Sequence, residues 1–266
     1  MNVDIAGSFE VPSQEEWDKY LATDIFNDMN LEPGTLGESE DVFQNIGRPR
    51  LHEIITEHNN KVGALRITYA LCRHYYDKGI PDDPWFISPG SAGQSVEYFP
   101  NFKEEHWMRK HWFTYFADTF YLKISSVWDS IIEIIDEYYQ YGIPQDLRFR
   151  SEVFKRLKED NPDLFNVFAE LQKNDLYIEA QKYRTEAAHG TSAGDVHNTI
   201  STQRDVETEI TKIEGGHVVR RPVKAAMVVS FGVGEYTLSK TIMENIENYS
   251  KHSGAEMQRI INLLES

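Results

Sequence analysis

From residue 50 onward, apolar side chains recur every three or four positions, the period of a helix face. Leu51, Ile55, His58, Val62, Leu65, Tyr69, Cys72 and Tyr76 predict a first strong helix over about 50–77. Pro49 suits its first turn, and Gly79-Ile80-Pro81 stops it. Residues 79–102 are rich in proline and glycine and read as a long ordered loop, pinned to the core by Trp85, Phe86, Tyr98 and Phe99. A second, longer helix is expected over about 103–141. Phe113, Phe116, Phe120, Ile124, Val127, Ile131, Ile134, Tyr138 and Tyr141 form one stripe, which Trp112, Trp128, Ile132 and Tyr139 widen. A stripe that wide packs against more than one neighbour.

Shorter helices follow at about 149–160, 161–172 and 174–189, the second opened by Pro162. Residues 190–204 are polar and read as a loop. Thr208–Ile213 and Val218–Arg221 then alternate around Glu214-Gly-Gly-His217, the signature of a small β-hairpin. A last helix runs from about 236 to 250 and continues, or restarts after Gly254, to about 264. The pattern predicts an all-α bundle with a long second helix and a small hairpin insertion. Short links between the later helices favour antiparallel neighbours.

Residues 1–47 stand apart: they hold eleven acidic residues and one base, Lys19. They read as an acidic N-terminal arm, loosely docked with one short helix near Glu15–Asn27, or as a disordered extension. The helical domain is assigned to 48–266. The net charge of −16 argues against broad nucleic-acid binding. The arm carries most of that charge, however, and bases gather later, at Lys182, Arg184, Arg204, Arg220, Arg221 and Lys224. The single cysteine, Cys72, excludes an internal disulfide and sits on an apolar helix face. The first residues lack the basic and apolar regions of a secretory signal, and no run of 18 apolar residues occurs, so a cytoplasmic protein without a membrane span is expected.

The residues that point most directly to chemistry are Arg184 and His189, separated by four positions at the end of the 174–189 helix, just before Gly190. An imidazole exchanges protons near neutral pH, and a guanidinium holds a phosphate through paired hydrogen bonds. Together they suffice for cutting RNA without a metal. Five positions along a regular helix turn by about 500°, so the two side chains diverge by about 140°. Either the last turn loosens at Gly190, or two copies of the motif face each other across a dimer. A plainer reading makes Arg184 a surface residue and His189 a cap on the helix's last carbonyls.

Other patterns compete. Glu186-Ala-Ala-His189 is a Glu-x-x-His motif, but the second such motif, Glu214-Gly-Gly-His217, falls in a turn rather than on the helix a di-iron bundle needs. His106 and His111 read as surface histidines. Asp118 and Asp129 are eleven residues apart and share a helix face; Asp129 is retained as a residue that orients the motif. Gly232-Val-Gly234 lacks the rest of a dinucleotide fingerprint. No metal and no cofactor is expected.

With Arg184-x4-His189 near the end of a late helix, and Ser126-Val-Trp-Asp129 within a long aromatic second helix, the chain resembles the HEPN superfamily over residues 50–264, in particular a bacterial branch with long insertions. The resemblance implies a four- to five-helix bundle and a homodimer whose two motifs line one cleft. It also implies a metal-independent endoribonuclease, in a toxin–antitoxin, phage-defence or similar setting, with an antitoxin or other protein partner in some systems. His189 would be the general acid/base and Arg184 the phosphate ligand. Thr185 stands where the family often has Asn, Asp or His, and Thr191 where some toxins carry a tyrosine. Many relatives of this kind are catalytically silent modules that bind a nucleotide, RNA or a protein. Thr185, Glu186, Arg220 and Arg221 complete the residues expected around the motif, the last two lending positive charge to an RNA backbone.

Overall fold

In the computed structural model, residues 6–32, 34–37, 49–190, 192–197, 199–214 and 217–266 are described. Seven α-helices and two small antiparallel sheets occur among them. Helix α1 spans Gln14–Leu21, α2 Pro49–Asp77 and α3 Glu104–Tyr138. Three short helices follow, α4 (Phe149–Asp160), α5 (Pro162–Leu171) and α6 (Asp175–His189), and α7 closes the chain at Ser239–Glu265. Between α2 and α3 lies the two-residue strand pair β1 (Phe86–Ile87) and β2 (Glu97–Tyr98). Between α6 and α7 lie β3 (Ile200–Glu214) and β4 (His217–Phe231). Fold class is as the periodicity predicts: an all-α bundle.

α2 and α3 form its spine. Leu51, Ile55, Val62, Leu65, Tyr69 and Cys72 of α2 are buried against the Phe113–Ile134 stripe of α3. The wide stripe has a second customer. Ile242, Met243, Ile246, Tyr249, Met257, Ile260 and Leu264 of α7 join the same core. Helix starts follow local chemistry. Asn161 caps α5 ahead of Pro162, and Asn174 accepts from the backbone N–H groups of Leu176 and Tyr177 at 2.9 and 3.4 Å to open α6. The loop after α2 is pinned as expected: Phe99 is buried, the Trp85 ring lies 5.5 Å from that of Tyr236, and the Tyr98 hydroxyl donates to the Val233 carbonyl.

Two expectations need correction. The first is the arm, whose described part is firmly packed rather than loose: Tyr20, Ile25, Phe26, Met29, Leu31 and Leu36 are buried. Its acidic residues hid a set of apolar anchors that starts in α1 and continues through short 3-10 turns and the chain between them. Backbone pins hold them. The His58 ring meets the Met29 carbonyl at 2.7 Å, and Asn59 both donates to the Leu31 carbonyl and accepts from the Leu31 N–H at 2.9 Å. Residues 1–5, 33 and 38–47 of the arm lie outside the described residues.

For α7 the continuous alternative holds: it is one helix through Gly254. The glycine serves packing: a Cβ there would sit 3.0 Å from the Asp28 side chain, so its absence lets the N-terminal segment approach.

Second, the hairpin is present but longer than the alternation suggested. Its strands keep one register from Ile200↔Phe231 to Glu214↔His217. At about 3.3 Å per residue, each strand reaches roughly 50 Å. The polar stretch read as loop up to Arg204 thus supplies strand from Ile200 onward. Serines, threonines and glutamine are compatible with a two-stranded ribbon that water reaches. Pro222 is tolerated because both strands are edges. The Gly215-Gly216 turn lies outside the described residues.

Candidate functional site

α6 carries the motif, and a buried polar chain fixes it. The Tyr183 hydroxyl donates to Glu179 at 2.7 Å, Glu179 accepts from Asn245 of α7 at 2.7 Å, and Asn245 accepts from Tyr121 of α3 at 2.8 Å. The Tyr121 and Tyr183 rings meet at 5.1 Å. Every member of such a network is satisfied only in one arrangement of the three helices, so it specifies where α6 sits. Nothing in the sequence links Glu179 to Asn245; only the i, i+4 spacing of Glu179 and Tyr183 was visible.

α6 remains helical to its last residue. The Gly190 N–H returns to the Glu186 carbonyl, and Gly190 adopts φ 89°, a left-handed turn suited to glycine. The last turn therefore does not loosen, and the 140° divergence of Arg184 and His189 persists. Both side chains are exposed and, among the described residues, neither has a hydrogen-bond or ionic partner. One copy of the chain does not bring them to a common atom. Thr185 bends its hydroxyl back to the Gln181 carbonyl at 2.8 Å, and half-buried Glu186 lies 3.9 Å from Lys182.

α6 runs antiparallel to α3, which separates the two aspartates considered from the sequence. Asp129 lies beside the start of α6: it is 60% exposed and 4.0 Å from Arg150, whose guanidinium in turn meets the Tyr177 hydroxyl. Asp118, about 16 Å earlier along α3, lies beside the end of α6 and accepts from the Ser192 hydroxyl at 2.8 Å. Asp118 is thus the carboxylate near the motif's C-terminal end. Equal phase on α3 could not distinguish the two; the direction of α6 does. Burial pushes the Asp118 carboxyl up to about 6, against the lowering effect of the Ser192 hydrogen bond and of Lys110.

Ser192, Asp195 and the Trp107–Asp118 face of α3 enclose a groove of about 460 Å³. Lys110 holds the loop side. Its buried ammonium donates to the Gly194 carbonyl, lies 3.5 Å from Asp195, and faces the Phe99 and Tyr236 rings at 5.4 and 5.5 Å. Burial lowers the Lys110 pKa and Asp195 opposes that shift. Gly194 is required here, because a Cβ would stand 2.5 Å from the Thr114 hydroxyl.

The basic residues of the hairpin sit elsewhere. Arg220 pairs with Thr211 and Arg221 with Ile210, eleven and ten positions beyond the Ile200↔Phe231 pair, which places them roughly 35 Å out along the ribbon. Arg220 is exposed; the Arg221 side chain lies outside what is described. Of the metal alternatives, Glu214 and His217 face each other as the outermost strand pair, away from Glu186 and His189 of α6. No group of three or more His, Cys, Asp or Glu among the described residues is placed to hold a metal ion. His106 accepts from the Lys103 N–H at 3.0 Å and His111 is exposed, while Cys72 is buried. No helix among the described residues is long and apolar enough to cross a membrane.

Residues 55–264 match the family model described as Cthe2314-like HEPN. No curated protein and no solved structure matches the chain.

Proposed function

Because the chain belongs to the Cthe2314-like HEPN family, we propose that it is a metal-independent endoribonuclease acting as a homodimer. The carrying observation is the pair of exposed side chains at the end of a regular helix, Arg184 and His189, which have no partner among the described residues and lie about 140° apart by helix phase. A two-fold axis beside α6 joins Arg184 of one copy to His189 of the other and does so twice. His189 accepts the proton of a ribose 2′-hydroxyl as the oxygen attacks the adjacent phosphorus. Arg184 binds the phosphate oxygens and balances the charge that grows on them. The phosphorus–5′-oxygen bond breaks, and His189 returns the proton to the departing oxygen. The products are a 2′,3′-cyclic phosphate and a 5′-hydroxyl. Arg220 and Arg221 on the ribbon supply positive charge to an RNA backbone away from the scissile bond. A toxin–antitoxin or phage-defence role, with a protein partner, belongs to the same reading.

The test is RNA cleavage by the full chain in EDTA, with end-group analysis. Cyclic phosphate termini that disappear in the His189→Ala variant support the reading. A folded dimer that cuts no RNA would move the assignment to a silent module binding a nucleotide, RNA or protein. The acidic setting of Glu186, Asp118 and Asp195 and the Thr185 departure favour that second reading.

A further inference from the structure

The groove beside the end of α6 is built differently from a phosphate site. Its one buried cation, Lys110, is already engaged by Gly194 and Asp195. What it offers instead is flat apolar surface and hydrogen-bond acceptors. Trp107, His111 and Tyr115 follow each other at four-residue steps along α3, each about 6 Å further along the axis. Trp107 is 44% and Tyr115 55% exposed. Both are braced from behind: Trp107 by the edges of Phe99 and Phe102 at 5.3 and 4.8 Å, Tyr115 by Trp112 and Phe116 at 5.9 and 5.2 Å. Large rings held rigid yet open to water form a stacking platform, whereas core aromatics would be covered.

At the same groove Asp118 uses only Oδ1, for the Ser192 hydroxyl; Oδ2 takes no hydrogen bond among the described residues. The Thr114 hydroxyl, also in the lining, is buried and has no hydrogen-bond partner among the described residues. A half-buried carboxylate with a free oxygen is short of donors.

We propose that this groove binds a nucleobase of single-stranded RNA, stacked on Trp107 or Tyr115, and reads guanine through Asp118. Guanine alone among the four bases presents two adjacent N–H donors, N1–H and the exocyclic amine, which match the two oxygens of a carboxylate. Ser192 holds that carboxylate in place and lies three residues beyond His189, so the base read here neighbours the phosphate presented to the motif. The inference rests on the ribonuclease reading for its biological setting; the groove's chemistry is independent of it.

Full-length His189→Ala protein, which leaves probes intact, is titrated with fluorescein-labelled hexauridylates carrying one central guanine, inosine or adenine, and anisotropy is read. The expected order is guanine over inosine, which lacks the amine, over adenine, with guanine ahead of adenine by roughly ten-fold or more. Adding Asp118→Asn should erase that order. Of the separate additions Tyr115→Leu and Trp107→Leu, the one that removes the stacking ring should weaken every probe by roughly ten-fold, with circular dichroism melting confirming a folded chain. Equal affinity for the three probes overturns the inference, as does wild-type affinity in both folded leucine variants. Cleavage by the wild-type chain is assayed on the same probes. Cutting without base preference sinks the groove and spares the nuclease; guanine-selective binding without cutting does the reverse.

Discussion

The Ser192 hydroxyl donates to Asp118 at 2.8 Å, tying the segment that follows the motif to the middle of α3. The bond secures the groove wall and holds a carboxylate whose ionisation is resisted by its surroundings.

That resistance predicts a pH-dependent stability. The Asp118 carboxyl sits at about 6 in the folded chain, above the value near 4 of an unfolded one. The folded state therefore binds more protons between pH 4 and 6, and Asp118 costs stability as pH rises through that window. Asp118→Asn should be at least as stable as wild type at pH 8 and lose that advantage at pH 4. Urea unfolding at both values decides the matter; a constant offset would remove Asp118 as the cause.

His58 predicts the opposite trend. Burial lowers its pKa to about 4 and keeps the ring neutral between Met29 and Ser130. The unfolded chain takes up the proton near 6.5. Stability is present above that value and lost as pH falls from about 6.5 to 4, by at most roughly 3 kcal/mol. Because His58 pins the N-terminal segment, acid should first expose residues 6–37 to proteases. Uniform loss of protection across α2 and α3 at pH 5 would contradict this.

Chemistry should separate from folding at the motif. His189→Ala should lower RNA cleavage by roughly 10²–10⁴-fold, and Arg184→Ala comparably. Both side chains are exposed, so melting temperatures should stay within a few degrees of wild type. A collapse in melting temperature would recast either residue as structural.

Subunit mixing tests the two-chain site. Arg184→Ala and His189→Ala chains, each inactive, should regain roughly a quarter of wild-type activity when exchanged in equal amounts, because half the dimers are mixed and each has one intact pair. No recovery, in chains whose exchange is shown by energy transfer between differently labelled subunits, would place the pair within a single copy.

The ribbon arginines give a salt signature. Neutralising Arg220 and Arg221 should weaken RNA binding and reduce its logarithmic salt slope by roughly one to two. An unchanged slope would exclude phosphate contacts at the outer ribbon.

The bundle was legible because burial has a period. The Phe113–Ile134 stripe on α3 and the three/four rhythm of α2 report faces that meet, and Asn161, Pro162 and Gly190 mark helix ends by local chemistry. Packing that depends on long-range approach was not. Phe26 and Met29 sit at the start and end of a single 3-10 turn, too short for a repeat to announce their burial, and Gly254 looks like a breaker until Asp28 is seen against it. At the candidate site, Arg184 and His189 could be found by type and spacing. The choice between Asp118 and Asp129 could not, since it turns on which end of α6 lies beside which turn of α3.

At the root of the ribbon, His197 and Glu235 exchange backbone hydrogen bonds of 3.0 and 2.7 Å. The chain thus leaves the bundle and re-enters it through neighbouring residues, with the whole excursion closed at its neck. Such a gate makes the ribbon a cartridge: it can be shortened, exchanged or removed while the span from α6 to α7 stays bridged, and the cost of closing a replacement grows only slowly with its length. Selection on what the protein touches could therefore rewrite the ribbon without renegotiating the helices that carry the motif.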